Sequence, residues 1–289
     1  MQSAILQPIP QHGIYLCLDK LPEIPLSQAI HCVQQLELSA EHVLGLGASL
    51  IPAGSTAAID VFPAMAGPGV TVPSTQTDLW IWLRGEEPGP LAIEAQLMVS
   101  ELSECFDLIQ QTQAFKHGSG RDLTGYEDGT ENPEGDDAVA AAFAANKGEG
   151  LDGSSCVAVQ QWVHDLASFS MHSQDQKDNM IGRHLSDNTE FDAPASAHVK
   201  RTAQEQFTPE AFVVRRSMPW AESSEAGLMF IAFGHSTLAF EQQMRRMAGL
   251  DDGIVDALFR FTRPVTGGYF WCPPRSGDAF DWRAVAIGD

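Results

Sequence analysis

The chain has 289 residues, 44% of them hydrophobic, enough to bury one large core or two of about 140 residues packed together. Its 38 acidic side chains against 17 Lys and Arg give a formal charge of −21, which repels polyanions and leaves nucleic acid outside the expected partners. There is no run of about 18 uninterrupted apolar residues, and Met1 to Pro10 lacks the features of a secretory leader; no membrane partner is expected, and the expected location is cytoplasmic.

In chain order, Gly13 to Leu18 reads as a strand and Pro25 to Leu38 as a helix entered through proline. Val43 to Leu50 and Leu79 to Leu83 read as strands, separated by the Gly, Pro and Ser-rich run from Pro52 to Ser74. A helix from Pro90 to Cys105 follows, then an extended segment from Phe106 to Phe115. Beyond the Gly and Asp-rich stretch Gly148 to Gly153 the order recurs. Cys156 to Asp165 is a strand, Asp175 to Arg183 a helix, and Phe212 to Met218 with Leu228 to Phe233 a strand pair. Leu238 to Met247 and Ile254 to Phe261 read as helices and Gly268 to Trp271 as a last strand. Two βαββαβ rounds predict an α+β fold of two ferredoxin-like domains, 1–150 and 151–289, with packed antiparallel sheets. Cys17, Cys32, Cys105, Cys156 and Cys272 are scattered, never paired as C-x-x-C, and are expected as free thiols.

Gly125 to Pro133 (GYEDGTENP) crowds turn formers and three carboxylates into nine residues. An acidic surface turn explains the composition, and Gly129 would also let the backbone turn tightly enough to aim Asp128 into a cavity. None of the nine histidines has paired ligand spacing, so a zinc site has no support. Arg215 and Arg216 lie on one strand, whose alternation sends one inward, where a guanidinium needs an anionic partner.

These segments resemble the dye-decolourising peroxidases, in their compact bacterial branch. The Gly125 to Pro133 segment is similar to that family's G-x-x-D-G signature. Ile181 to Arg183, Ala197 to Val199, Val214 to Pro219, Gly227 to Ala232 and Phe261 to Gly268 follow in the family's order, over roughly residues 5 to 275. The resemblance implies a peroxidase containing haem b (iron protoporphyrin IX), held between the halves or within the C-terminal half. It implies reduction of hydrogen peroxide and oxidation of small organic donors such as dyes and phenols through a ferryl intermediate.

Carried over by position, His198 is the expected iron ligand and Asp256 the acceptor of its other N–H, although a carboxylate at a helix N-terminus explains Asp256 as well. Asp128 and Arg215 are expected to activate peroxide, with an acidic optimum. Ser217 stands where some relatives carry asparagine. Arg183 is expected on a haem propionate, Gly129 and Thr130 nearest the macrocycle, and Phe230 in the pocket. Trp162, Trp220, Trp271, Trp282, Tyr126 and Tyr269 are available as a surface electron relay, with packing as their ordinary explanation. A homo-oligomer, dimer or larger, is the family's habit, and Phe280 to Asp289 shows no clear docking peptide.

Overall fold

The computed structural model describes residues 1–277 and 279–285; the end of the tail considered for a docking peptide, 286–289, lies outside them, as does the corresponding end of the 151–289 domain. The first half runs β1 (His12–Lys20), α1 (Leu26–Gln35), β2 (Val43–Leu46), a small hairpin of β3 (Met65–Gly67) and β4 (Val70–Val72), then β5 (Leu79–Gly85), α2 (Pro88–Leu102), β6 (Phe106–Phe115) and α3 (Gly135–Ala142). The second runs β7 (Ser155–His164), α4 (Leu166–Met171), α5 (Gln174–Ile181), α6 (His198–Arg201), β8 (Val214–Arg215), β9 (Met218–Glu222), β10 (Glu225–Gly234), α7 (Leu238–Met247), β11 (Thr262–Pro264) and β12 (Gly268–Cys272). The short pair β13 (Arg275–Ser276) and β14 (Ala279–Phe280) ends the order of strands.

The strands pair antiparallel in the order β11-β7-β12-β2-β5-β1-β6-β9-β10-β8, and a further β7–β10 pairing closes eight of them into a ring. Two blocks make up that ring, β2-β5-β1-β6 and β12-β7-β10-β9, each with its first and third strands at the centre. They meet at single residue pairs, Ala114 with Trp220 and Trp271 with Leu46.

Alternation along each strand sorts the side chains into layers. Ile14, Leu16 and Leu18 of β1 and Leu79, Ile81 and Leu83 of β5 face α1 and α2. Tyr15, Trp80 and Trp82 face the other way and meet Val157, Val159, Ile231, Phe233 and Phe270 of the second block. The space between the sheets is therefore filled with side chains. On the outer face of the second block, Ala158, Trp162 and Ala232 pack with Phe240, Met244 and Met247 of α7.

Several expectations need correction. Ile254 to Phe261 is helical only over the 3-10 turn Ala257–Arg260, because the Asp256 side chain caps Leu258 N–H and starts the turn late. The strand expected over Phe212 to Met218 is broken: β8 and β9 share one register on β10, Arg215 opposite Ala232 and Met218 opposite Met229, with Arg216 and Ser217 between them. Cys32 and Cys105 are bonded to each other, while Cys17, Cys156 and Cys272 are free. Of the proposed surface aromatics Trp162, Trp220, Trp271, Tyr126 and Tyr269 are buried; only Trp282 is partly exposed.

Candidate active site

Beside the outer face of β7 and β10 lies a cleft of two adjoining lobes. The inner lobe is walled by Trp162, Leu228, Phe230, Phe240, Met244, Met247, Leu258 and Phe261. The outer lobe is polar and includes Gly129, Thr130, Glu131, Arg183, Glu190 and Lys200. Asp128, His198 and Arg215 line both, so the structure gathers the three residues at the junction.

His198 opens α6, a single turn held against the 3-10 turn by the Ala257 N–H to Ser196 carbonyl bond of 2.7 Å. Its Nδ1 lies 2.8 Å from Asp256 Oδ2, while Asp256 Oδ1 accepts from Leu258 N–H at 2.8 Å. Both readings of Asp256 are thus realised, one oxygen each, on a side chain with no exposed surface. The bond to Asp256 fixes the tautomer and leaves Nε2 as the lone-pair nitrogen; among the described residues it has no hydrogen-bond partner. A second cleft histidine, His164, is engaged at both nitrogens, by Asp122 at 2.9 Å and Thr262 at 2.6 Å. His198 is therefore the imidazole free to bind a metal. Among the described residues no group of three or more His, Cys, Asp or Glu is placed to hold a metal ion, so a metal held by His198 must bring its other ligands with it.

Asp128 and Arg215 form an ion pair, Oδ1 to Nε at 3.7 Å. Gly129 follows at φ +75°, where a Cβ would stand 2.8 Å from Asn132 Nδ2. Asn132 in turn grips the backbone of Arg215: Nδ2 donates to its carbonyl at 3.0 Å and Oδ1 accepts its N–H at 2.8 Å. Gln204 makes a second bracket, donating to the Glu131 carbonyl at 2.8 Å and accepting from Val213 N–H at 3.0 Å. These four bonds splice the acidic turn onto β8. The sequence marked Asn132 only as a turn former; what distinguishes it is a partner 83 residues away, invisible to local pattern.

Arg183 is buried at the outer lobe, donating to the Asn188 carbonyl at 2.8 Å and paired with Glu131 and Glu190. Thr130 Oγ1 accepts from Asn188 Nδ2 at 2.9 Å. Ser217 does not reach the cleft wall; it is buried, and its Oγ lies 3.4 Å from Ile231 N. Arg216 turns away from the cleft and donates to the Leu6 carbonyl at 2.8 Å. Burial, with the Arg84 charge beside it, lowers its pKa to about 10. Tyr126, which lines the inner lobe, donates to Asp178 at 2.5 Å; burial and that carboxylate hold the phenol well above its ordinary range.

Residues 119–277 match the family model for the C-terminal part of Dyp-type peroxidases. The dye-decolorizing peroxidase of Mycobacterium tuberculosis is 32% identical over 219 residues, 73% of this chain and 65% of that protein. That of Brevibacterium linens is 31% identical over 242 residues, 80% of this chain and 66% of that protein. The chain spans between 62% and 65% of the length of the two mycobacterial relatives. Among solved structures, a dye-decolorizing protein from V. cholerae superposes with a TM-score of 0.82 at 27% identity, over 94% of this chain and 96% of that one. A variant of Rhodococcus jostii RHA1 DypB in complex with haem superposes with a TM-score of 0.84 at 27% identity, over 94% and 96%. A family match over more than half the residues, spanning every residue that lines the cleft, places this chain in the Dyp-type peroxidase family.

Proposed function

We propose that the protein is a haem b peroxidase that reduces hydrogen peroxide at the expense of small organic donors such as dyes and phenols. The observation that carries this reading is the imidazole of His198, oriented by Asp256 at 2.8 Å with its Nε2 unengaged, in the same cleft as the Asp128–Arg215 pair. The cleft fits the cofactor's chemistry. An apolar inner lobe suits a porphyrin's hydrocarbon faces, and a polar outer lobe containing Arg183 and Lys200 suits its carboxylates.

His198 would hold the iron through Nε2, with Phe230 against the ring and Gly129 and Thr130 along its edge. Bound there, the haem would supply the redox chemistry that peroxide cleavage and donor oxidation require. The protein's part is proton handling and charge. Peroxide beside Asp128 must move a proton from one oxygen to the other; Asp128 takes it and returns it to the departing oxygen. Arg215, fixed by Asn132, stabilises the negative charge that gathers as the oxygens separate. Asp256 keeps His198 in one tautomer and makes it a stronger donor. Ser217, tied to the sheet, is left out of this set.

On the same reading the chain consists of two ferredoxin-like domains, 1–150 and 151–289, with haem in the C-terminal one. What supports the division is the identical strand order of the two blocks. A cytoplasmic homo-oligomer belongs to the proposal too; among the described residues no helix is long and apolar enough to cross a membrane.

The test is the absorption spectrum of hemin-loaded protein before and after one equivalent of peroxide. A Soret band that changes at once is expected, with His198→Ala losing the band and Asp128→Asn keeping it but reacting at least a hundredfold more slowly. Absence of hemin binding, or an unaltered rate in Asp128→Asn, overturns the reading.

A further inference from the structure

The cleft holds a second histidine and carboxylate to which the mechanism above gives no task. His164 stands at the end of β7 with 4% of its side chain exposed, and Asp122 lies in the turn that leads to Asp128. His164 Nδ1 lies 2.6 Å from Thr262 Oγ1, which is in turn 3.1 Å from the Val163 carbonyl. Asp122 accepts at Nε2, 2.9 Å away. Both ring nitrogens are thus engaged, and the contact with Asp122 ties a strand to a loop.

On the loop side Asp122 is a hub. Its Oδ2 accepts from Thr124 N–H at 3.0 Å and from Thr124 Oγ1 at 2.5 Å. Its backbone exchanges bonds with Tyr126 and Gly125, both at 2.9 Å, and Asp128 N–H closes back on the Gly120 carbonyl at 3.4 Å. The segment 120–128 is thus one knot, with Asp122 at its centre and Asp128 at its rim.

We infer that His164 and Asp122 are positioning residues for Asp128: their hydrogen bond pins the knot to β7 and sets where the Asp128 carboxylate stands in the cleft. This rests on the reading of Asp128 as the proton-transferring group. Asn132 fixes the loop to β8 on the far side of Asp128, so the carboxylate is suspended between two strand anchors, β7 and β8, that both pair with β10.

The test is a double-mutant cycle on hemin-loaded protein, combining Asp122→Asn, His164→Gln and the charge-free double Asp122→Asn/His164→Gln with Asp128→Asn. The double variant leaves no buried charge unpaired and guards against misfolding of the singles. Three quantities are read: hemin affinity, the rate constant for peroxide, and fluoride affinity from the visible spectrum, which reports donors beside the iron without turnover. Hemin affinity is expected to stay within threefold of the parent, while the peroxide rate constant falls at least tenfold and fluoride binding weakens. In the Asp128→Asn background the same changes are expected to cost less than twofold further. Equal losses in both backgrounds, or none in either, overturn the inference. A parent that fails to bind hemin or to react with peroxide sinks the function itself, a separate outcome.

Discussion

Asn132 meets Arg215 through both ends of its amide, in the way a neighbouring strand would, and so converts an acidic turn into an extension of the sheet. Replacing it with alanine removes two backbone bonds worth about 1 kcal/mol each. The expected result for Asn132→Ala is about 2 kcal/mol lost in urea unfolding, with peroxide reactivity down at least tenfold and hemin affinity little changed. Asn132→Asp keeps the acceptor and loses the donor, so its values should fall between. A residue of opposite behaviour is Asp122. Burial raises its pKa, but the bonds from His164 and Thr124 outweigh burial and hold the carboxyl below its usual range. A carboxyl depressed in the folded state stabilises the fold at pH values above its unfolded pKa, near ~4, and that contribution fades as pH falls through the lower folded value. The melting temperature of Asp122→Asn should therefore lie below the parent's most clearly above pH 5, with the gap narrowing toward pH 2. A gap that stays constant over that range would show that ionisation of Asp122 contributes nothing.

At the scale of elements, the position of His198 depends on how closely α5 approaches α6. Gly182 ends α5 at φ +95°, and a Cβ there would lie 2.2 Å from Val199 Cγ2. Gly182→Ala combines left-handed strain of ~1–2 kcal/mol with a collision that pushes α6 outward. Faster hemin loss is expected, measured by transfer to an apo-globin acceptor. Adding Val199→Ala should restore the hemin off-rate and leave the backbone strain visible in the melting temperature. The same elements show where sequence pattern informs and where it stops. The strand Phe106–Phe115 and the helix Leu238–Met247 have the bounds read from the sequence, the helix because Phe240, Met244 and Met247 recur at helical spacing. Helix α6 has four residues, too few for any period, and was not predicted; the resemblance marked His198 but no helix around it. The break at Arg216 and Ser217 carries no Gly, Asn or Asp to announce it. Cys32 and Cys105 are separated by 73 positions, and nothing local marks them as partners. Within the site, Asp128, Arg215 and His198 were legible as motif members; Asp122, His164 and Asn132 were not, because each acts through a contact made across the fold.

For the whole molecule, the question is whether the two blocks unfold as one. Their inner faces share a single core in which Phe270 of β12 stacks on Trp80 of β5 with ring centroids 6.0 Å apart. Gly45 of β2 lies so close beneath that a Cβ there would be 2.7 Å from Phe270 Cβ. The hydrogen-bonded seams between the blocks, by contrast, amount to one residue pair each. Cohesion thus comes from apolar packing, which falls with the area removed, and only weakly from the ladder. Phe270→Ala should cost about 3–5 kcal/mol. Because Phe270 belongs to the second block and Trp80 to the first, the loss should appear in both: tryptophan fluorescence and far-ultraviolet circular dichroism are expected to move together to a lower urea midpoint. Blocks with independent stability would instead separate into two transitions, the first block keeping the parent's midpoint. Hemin gives an internal control. The cleft is lined by residues 122–131 of one half and 160–262 of the other, so hemin free at a hundred times its Kd should add ~2.7 kcal/mol to the common transition. That shift should be the same in Phe270→Ala as in the parent, since the substituted ring points into the shared core and not into the cleft.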